Sequence, residues 1–191
     1  MAQTLEDTVT VKGSPVRSLQ KFLEGELTAE QRDRVMATVP TEFASRFRLP
    51  ILATETVPVA FLNRMTEESA KVKGEPLEEF ARRAGREAAS DAIKGIYRFF
   101  ALIMTPPALL SKASNMWSSL YNRGDLRVSN QTEKGATISL VDFPSELPGC
   151  SRLTGWIERM AELTGAKQVK VVQTKCFTKG ASHCEWVVKW D

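Results

Sequence analysis

The sequence predicts a single α+β domain in which N-terminal helices pack on a four-stranded antiparallel sheet. Two observations predict it: apolar residues recur with helical spacing over the first 122 positions, and the spacing changes to alternation from about position 123. The second half then reads strand–strand–helix–strand–strand, without an internal repeat. We expect one domain over 1–191, with residues 1–10 disordered, a helical part at 11–122 and a sheet part at 123–191.

Composition and charge narrow the function classes before any motif is considered. The chain has 191 residues, a net charge of +3, three cysteines and one histidine. Because the excess of cationic residues is small and scattered, electrostatics provide no argument for nucleic-acid binding. The first seven residues lack the basic and then apolar layout of a secretory signal, and no segment suits a membrane span. We therefore expect a cytoplasmic protein with reduced cysteines.

Helix signals begin near the N-terminus. Ser14 and Pro15 predict an N-cap and a first-turn proline for the first helix. Thr28 and Gln31 have the spacing of a capping box and open a second helix that reaches positions 35–36.

Three further helices are predicted before the sheet. Residues 43–50 read as a connector, and a helix then runs from Val59 to Gly74. A long helix follows over 77–104 and another over 108–121, both from their apolar periodicity.

The long helix carries small residues in the middle of its inner stripe. Such a stripe allows another backbone to pack very close, or it leaves a space open as the wall of a pocket. The pocket interpretation predicts an apolar cavity for a lipophilic ligand, although such side chains are more often plain core. Its candidate lining residues are Ala88, Ala92, Phe99, Phe100, Met104, Met116 and Trp117.

Alternating patterns then predict two hairpins separated by a helix. Residues 126–129 and 136–140 alternate apolar and polar side chains around a turn at Gly135. An amphipathic helix covers 153–163, and a last hairpin pairs 169–176 with 184–190.

The last hairpin brings two cysteines together. If it is symmetric about Gly180, opposed residues lie on one face with their Cβ atoms about 5 Å apart. The predicted pairs are Cys176 with Cys184, Thr174 with Trp186, and Val172 with Val188.

The two thiols would then converge on a metal, on each other, or on nothing. Three cysteine thiolates and one further ligand would suit tetrahedral zinc, with His183 as the local fourth ligand. Against this, His183 is adjacent to Cys184 and points to the opposite face of a regular strand. The alternative is three reduced, buried cysteines and a surface histidine. Spacing alone leaves open whether Cys150 reaches the pair.

The C-terminal motifs resemble a known family. The stretches CSRLTGW at 150–156, VVQTKC at 171–176 and GASHCEW at 180–186 look like the signature of the vinyl-4-reductase domain. That domain occurs in bacteriochlorophyll-synthesis proteins and in sensor modules of aromatic-responsive transcription activators. The resemblance implies a ligand-binding fold that is also found in relatives of haem nitric-oxide sensors and in transport-protein-particle subunits.

The resemblance also implies a structural zinc site. In the aromatic sensors three cysteines bind zinc together with a glutamate, and the matching positions here are Cys150, Cys176 and Cys184. The glutamate position holds Gln173, whose neutral amide is a poor zinc ligand, so His183 or water would complete the site.

Over its whole length the chain is similar to a myxobacterial paralogous family of unknown function. The similarity rests on residues 11–14, 84–86 and 117–124. It adds the expectation of a bacterial protein that functions as a stand-alone module.

No catalytic residues are predicted, because the chain lacks a nucleophile–histidine–acid set and a phosphate-binding glycine loop. The only histidine lies in the last hairpin, which argues against phenol sensing and against a histidine-held haem. We expect a non-enzymatic ligand-binding or adaptor signalling module, a homodimer that acts through a partner protein. The alternatives are a pure interaction subunit without ligand and an accessory protein of tetrapyrrole synthesis.

Overall fold

The computed structural model describes residues 8–93 and 104–191. In this part of the chain the helices are α1 (Gly13–Glu26), α2 (Ala29–Thr38), α3 (Thr41–Phe47), α4 (Val59–Lys73), α5 (Leu77–Ala92), α6 (Pro106–Leu110), α7 (Ala113–Leu120) and α8 (Leu147–Leu163). The strands are β1 (Thr10–Lys12), β2 (Thr56–Pro58), β3 (Asp125–Thr132), β4 (Gly135–Val141), β5 (Lys170–Lys175) and β6 (Cys184–Lys189). The predicted fold class is confirmed, including the strand–strand–helix–strand–strand order of the second half.

The predicted boundaries of α2 and α4 are confirmed by their caps. The Thr28 hydroxyl accepts a hydrogen bond from the Gln31 backbone, and the Gln31 side chain accepts one from the Thr28 backbone. Gly74 ends α4 in the left-handed conformation, with φ of 76°. Both signals lie within one turn of the helix end, and for this reason they are readable from sequence.

Two predictions in the first half are wrong. Helix α1 begins at Gly13, not after Ser14, because Lys12 is still paired in strand β1. The predicted connector at 43–50 contains helix α3, whose Phe47 ring packs 5.9 Å from the ring of Phe61. A helix of seven residues has little intrinsic stability, so this tertiary contact stabilises it.

A small sheet was not expected. Strands β1 and β2 pair antiparallel over three residues each, and Val11 also bridges to Tyr121. Strands this short carry no periodicity to detect.

The predicted helix over 108–121 is two helices. Thr105 caps α6, which therefore starts at Pro106, and α7 begins at Ala113 after a turn in which the Lys112 N–H donates to the Leu109 carbonyl. Helix α5 is confirmed from Leu77 to Ala92, and the rest of the predicted 77–104 helix lies outside the described residues, apart from Ile93 at the cap and Met104.

The main sheet has the order β3-β4-β6-β5, with every neighbouring pair antiparallel. Helix α8 packs on its inner face. That face carries the buried side chains Leu126, Ile138, Leu140, Cys184, Trp186 and Val188. Helix α8 begins at Leu147, six residues before the predicted start, because Pro148 occupies its first turn and does not interrupt it.

The last hairpin keeps the predicted register at Lys175 and Glu185, next to the turn, and is shifted by one residue beyond that pair. Gln173 faces Trp186 and Val171 faces Val188, since a bulge lies between Gln173 and Lys175. The predicted pairs Thr174–Trp186 and Val172–Val188 are therefore wrong. The shift reverses the two valines: Val171 is 9% exposed and Val172 is 59% exposed.

The helical and sheet halves meet where α5 crosses α8. A Cβ atom on Gly85 would lie 1.9 Å from the Arg152 carbonyl oxygen, and one on Gly155 would lie 2.0 Å from that of Arg82. Only glycine permits the two backbones to approach this closely. Ion pairs between the two helices flank the crossing: Arg82 with Glu158, and Arg86 with Glu158 and Glu162.

The close packing of α5 uses the small residues Ala81, Gly85 and Ala89, whereas Ala88 and Ala92 of the predicted stripe are half-buried and exposed. Among the described residues, none of the helices combines the length and apolar character that crossing a membrane requires.

Candidate functional site

Three cysteines form a buried cluster at one end of the main sheet. Their sulfur atoms all lie within 4.8 Å of one another, and the Cys150 and Cys184 sulfurs are 3.5 Å apart. All three are free thiols and are buried. The structure thus settles that Cys150 reaches the hairpin pair, although 34 positions separate it from Cys184.

Each sulfur is positioned by a different element. Cys150 lies in the first turn of α8, Cys176 follows β5, and Cys184 is the first residue of β6. Between the last two, a 3₁₀ turn (Phe177–Lys179) ends at Gly180, whose φ of 88° closes the turn. This turn leaves the Phe177 N–H outside the strand ladder, and it donates to the Cys184 sulfur at 3.3 Å.

The cluster favours one thiolate. The Cys150–Cys184 hydrogen bond, helped by the Phe177 N–H, lowers the pKa of Cys184 to about 5. The same hydrogen bond, together with burial, raises the pKa of Cys150 far above its usual range. The arrangement therefore favours negative charge on Cys184 and a proton on Cys150.

The other predicted metal ligand lies apart from the sulfurs. Among the described residues, the atoms that come together as one candidate metal-binding group are the three sulfurs, without His183. The His183 ring is hydrogen-bonded through Nδ1 to the Ser182 hydroxyl at 2.9 Å, and its Nε2 lies 3.8 Å from Glu185. Gln173 donates to the Lys175 carbonyl and also lies within hydrogen-bonding range of Cys150.

A second feature is an apolar cleft between the inner face of the sheet, α8, and the helices α6 and α7. Its walls are Pro106, Leu109, Leu110, Ala113, Met116, Leu126, Ile138, Trp156, Ile157, Met160, Ala161, Val188 and Trp190. The cleft measures about 430 Å³ with its open side included. Its free internal volume is only about 20 Å³. None of the described residues in this wall carries a charge.

The predicted pocket residues are spread over several environments. Met116 lies in the cleft wall. Trp117 is buried, but its ring stacks on Tyr121 at 4.0 Å and its N–H donates to the Arg123 carbonyl. Ala88 is half-buried and Ala92 is exposed, both outside the cleft wall.

Met104 is half-buried and does not belong to the wall. Phe99 and Phe100 lie outside the described residues. Sequence reasoning missed the strand and α8 residues of the wall, although their inward positions follow from the alternation of the strands and the amphipathic period of the helix. Their meeting around one cleft needs the tertiary structure.

Comparison with known proteins gives a fold. No family model matches the chain, and no curated protein matches it by sequence. Several solved structures that resemble it are H-NOX proteins. The Fe(II) unliganded H-NOX protein from K. algicida superposes with a TM-score of 0.75 at 11% identity, over 94% of this chain and 96% of that one.

Two further structures agree. An H-NOX protein from S. oneidensis in the Fe(II)NO ligation state gives 0.72 at 12% identity, over 94% of this chain and 99% of the other. An oxygen-binding H-NOX domain related to soluble guanylate cyclases gives 0.70 at 14% identity, over 94% and 95%. The chain has the H-NOX fold.

This result corrects two expectations. The vinyl-4-reductase assignment is wrong, because the structures that match over nearly the whole chain are H-NOX domains. The expected structural zinc is wrong as well, since the proteins of this fold are described by their iron and haem, and a cluster of thiols is not by itself evidence of zinc.

The described residues do not fit a haem held by histidine. The only histidine of the chain lies in the β5–β6 connection and is absent from the cleft wall. The part of that wall that the structure describes also lacks a thiolate or a phenolate, the other common single ligands of haem iron. A free volume of about 20 Å³ accepts about one water-sized molecule and no macrocycle.

Proposed function

We propose that this chain is a non-enzymatic sensor module that binds a small apolar molecule in the cleft and acts through a partner protein. The observation that carries the proposal is the cleft wall: thirteen apolar side chains, from three structural layers, converge in a fold whose solved members include small-molecule complexes. Apolar walls with few polar groups are typical of sites for lipophilic ligands.

The ligand class follows from the wall. With no charged group among the described residues of the wall, an ionised ligand would lose its hydration there without compensation, so we infer an uncharged ligand. The free volume suits a very small molecule, and a larger one requires that wall residues move. Leu109, Leu110 and Met116 are half-buried and belong to the short helices α6 and α7, so they are the wall residues that can move at the least cost.

The signal would pass to another chain. This part of the proposal is supported by the similarity to an oxygen-binding H-NOX domain that is described as related to soluble guanylate cyclases. A homodimer is the simplest partner, and sizing with light scattering tests it.

The ligand is tested by native mass spectrometry of freshly purified protein, followed by titration with an uncharged apolar fluorophore and, separately, with haem. We expect a retained small molecule or saturable fluorophore binding, and no Soret band from histidine-ligated haem. Ala161→Leu fills the wall and should abolish fluorophore binding. Ala108→Leu, on the exposed side of α6, is the matched control and should leave binding unchanged.

Equal binding by the wild type and both variants would contradict the cleft as the site. The narrow free volume favours one alternative, an interaction subunit without ligand. That role is supported if no molecule is retained, no fluorophore binds, and a stable complex with another chain is found.

A further inference from the structure

The loop between α3 and β2 presents two leucine side chains to solvent. Leu49 is 57% exposed and Leu52 is 64% exposed, although large apolar side chains are seldom so exposed elsewhere in the described part of the chain. We propose that this loop, residues 48–55, is a membrane-contact site that inserts both leucines into the headgroup region of an anionic lipid surface. The proposal is independent of the ligand proposed for the cleft.

The loop is anchored to the core between its two exposed side chains. Ile51 is 3% exposed and belongs to the core cluster of the helical half. The loop also lies directly on α1, because a Cβ atom on Gly13 would meet the Leu52 carbonyl oxygen at 2.0 Å. The two leucines are therefore presented by a backbone that is held in place, and they can enter a lipid layer without unfolding of the loop.

The backbone of the loop forms hydrogen bonds within the protein. The Gln20 side-chain amide donates to the Leu49 carbonyl at 3.2 Å, and the Leu49 N–H donates to the Arg46 carbonyl. The Leu52 N–H donates to the Glu55 carboxylate, and the Leu52 carbonyl accepts from the Glu55 N–H. Contact with lipid removes water from a backbone, so groups that are already bonded inside the protein lose least by it.

Cationic side chains lie beside the leucines. Gly13, Arg17 and Gln20 share one face of α1 through their spacing, and the loop contacts the first and the last of them. The exposed Arg17 therefore lies next to the loop, as does the exposed Lys12, which precedes Gly13. Arg48, in the loop itself, has a side chain that is 64% exposed.

The carboxylates that contact the loop do not cancel this charge. Glu55 is ion-paired with Arg46, so this pair adds no net charge. Asp33 lies 3.8 Å from Arg48, and because both side chains are largely exposed, the contact is weak. Apolar side chains with a basic rim complement an anionic headgroup layer, in which the leucines are buried and the cations meet phosphates.

The size of the patch favours lipid over a protein partner. A stable protein interface buries about 800 Å² on each partner, far more than two leucine side chains provide. Reversible attachment to a lipid surface, in contrast, combines a small buried apolar area with electrostatic attraction. The loop offers both contributions.

Vesicle co-sedimentation tests the site. The whole chain is mixed with sucrose-loaded vesicles of phosphatidylcholine, either pure or mixed with phosphatidylglycerol. We expect binding to the mixed vesicles that is about tenfold stronger than binding to pure phosphatidylcholine and that weakens as salt is added. Failure to bind the mixed vesicles would overturn the proposal.

Variants locate the contact. Leu49→Glu and Leu52→Glu should each weaken binding to the mixed vesicles by about tenfold, because each removes an inserted side chain and adds a negative charge. Leu52→Trp should retain binding, since tryptophan favours the membrane interface. Val172→Glu is the matched control, because Val172 is 59% exposed on the edge strand β5, and it should bind as the wild type does.

Two results with the variants would contradict the site. One is equal binding by the wild type and Leu52→Glu, or an equal loss in Val172→Glu, with circular dichroism showing that each variant is folded. The other is a wild-type dimer that Leu49→Glu and Leu52→Glu convert to monomers in light scattering, since the leucines would then contact a second copy of the chain.

Discussion

The first turn of α8 and its last two turns pack on the same sheet, but the first borders a polar cluster of thiols and the others border an apolar cleft. The first turn supplies Cys150 to the thiol cluster, whereas Ile157, Met160 and Ala161 supply an apolar wall to the cleft. At the cluster a strand has just ended, and the Phe177 N–H is free to stabilise a charged sulfur. Along the cleft the backbone N–H groups of the strands are used in the ladder, so only side chains face the space.

This difference shows where a sheet covered by a helix can carry polar chemistry. Backbone N–H groups that are not used in the ladder can stabilise a negative charge at the strand ends. In the middle of the sheet these groups are paired, so only the side chains contact a ligand. Four predictions test this comparison.

The largest effect is expected from Gly155→Ala, because Gly155 lies between the two ends of α8. The new Cβ would lie 2.0 Å from the Arg82 carbonyl, so the helices must separate and both ends of α8 lose their packing. We expect a loss of about 3 kcal/mol in the free energy of unfolding, measured by urea denaturation.

Gly25→Ala is the matched control. A Cβ on Gly25 meets nothing within 4 Å, and the residue lies in α1. We expect a gain of about 0.5 kcal/mol there. Similar unfolding free energies for the two variants would contradict the close crossing.

The second prediction compares the two ends directly. Ile157→Ala removes a side chain that is 3% exposed and that borders the cleft, so we expect a cost at the low end for a core truncation, about 2 kcal/mol of unfolding free energy. Cys150→Ala removes one buried sulfur and should cost about 1 kcal/mol. If chemical denaturation shows Cys150→Ala to be the more damaging change, the cluster is the main structural contact of α8.

The third prediction is a pH dependence confined to the cluster. The Cys150–Cys184 hydrogen bond lowers the folded pKa of Cys184 to about 5, below the value of an unfolded cysteine. A lowered pKa contributes stability at pH above the unfolded pKa of about 8.5, and that contribution is lost as the pH falls towards 5. Cys150, whose pKa is raised, acts in the opposite direction above pH 8.5.

The measurement is the difference in unfolding free energy between the wild type and Cys184→Ser under reducing conditions. We expect it to increase from pH 5 to about pH 8.5 and to decrease above. Ile157→Ala should show a difference that does not change over this range. A flat profile for Cys184→Ser would show that Cys184 carries no stabilised thiolate.

The smallest effect is expected at His183. Its ring contacts Ser182 and the edge of Glu185 and takes no part in either end of α8. We expect His183→Ala to change the unfolding free energy by less than about 0.5 kcal/mol, and Cys176→Ser to change it more. A large loss in His183→Ala would place the histidine in the cluster after all.

Local signals predicted much of the architecture. The capping box at Thr28 and the terminating Gly74 lie within a few residues of the helix ends that they specify, and both are confirmed. Alternation predicted the first hairpin for the same reason. The prediction missed helix α3, because the contact that stabilises it is made with Phe61, which lies outside the helix.

The last hairpin shows the limit most clearly. Its strands and the meeting of Cys176 with Cys184 were predicted. Beyond Lys175 the predicted register was wrong by one residue, because the alternation of apolar and polar residues does not reveal the bulge near Thr174. The cleft was missed for a similar reason. Its wall combines residues from six elements, and each of those residues alone has the pattern of an ordinary core residue.

The sequence by itself determined most of the helices, the four strands of the main sheet, and that two cysteines share the end of a hairpin, since periodicity, caps and turn residues act over a few positions. Only the tertiary structure decided that Cys150 joins them, that the cleft exists, and that the whole has the H-NOX fold. Those outcomes depend on how closely α5 and α8 approach at Gly85 and Gly155, and this distance is set by contacts between residues about 70 positions apart.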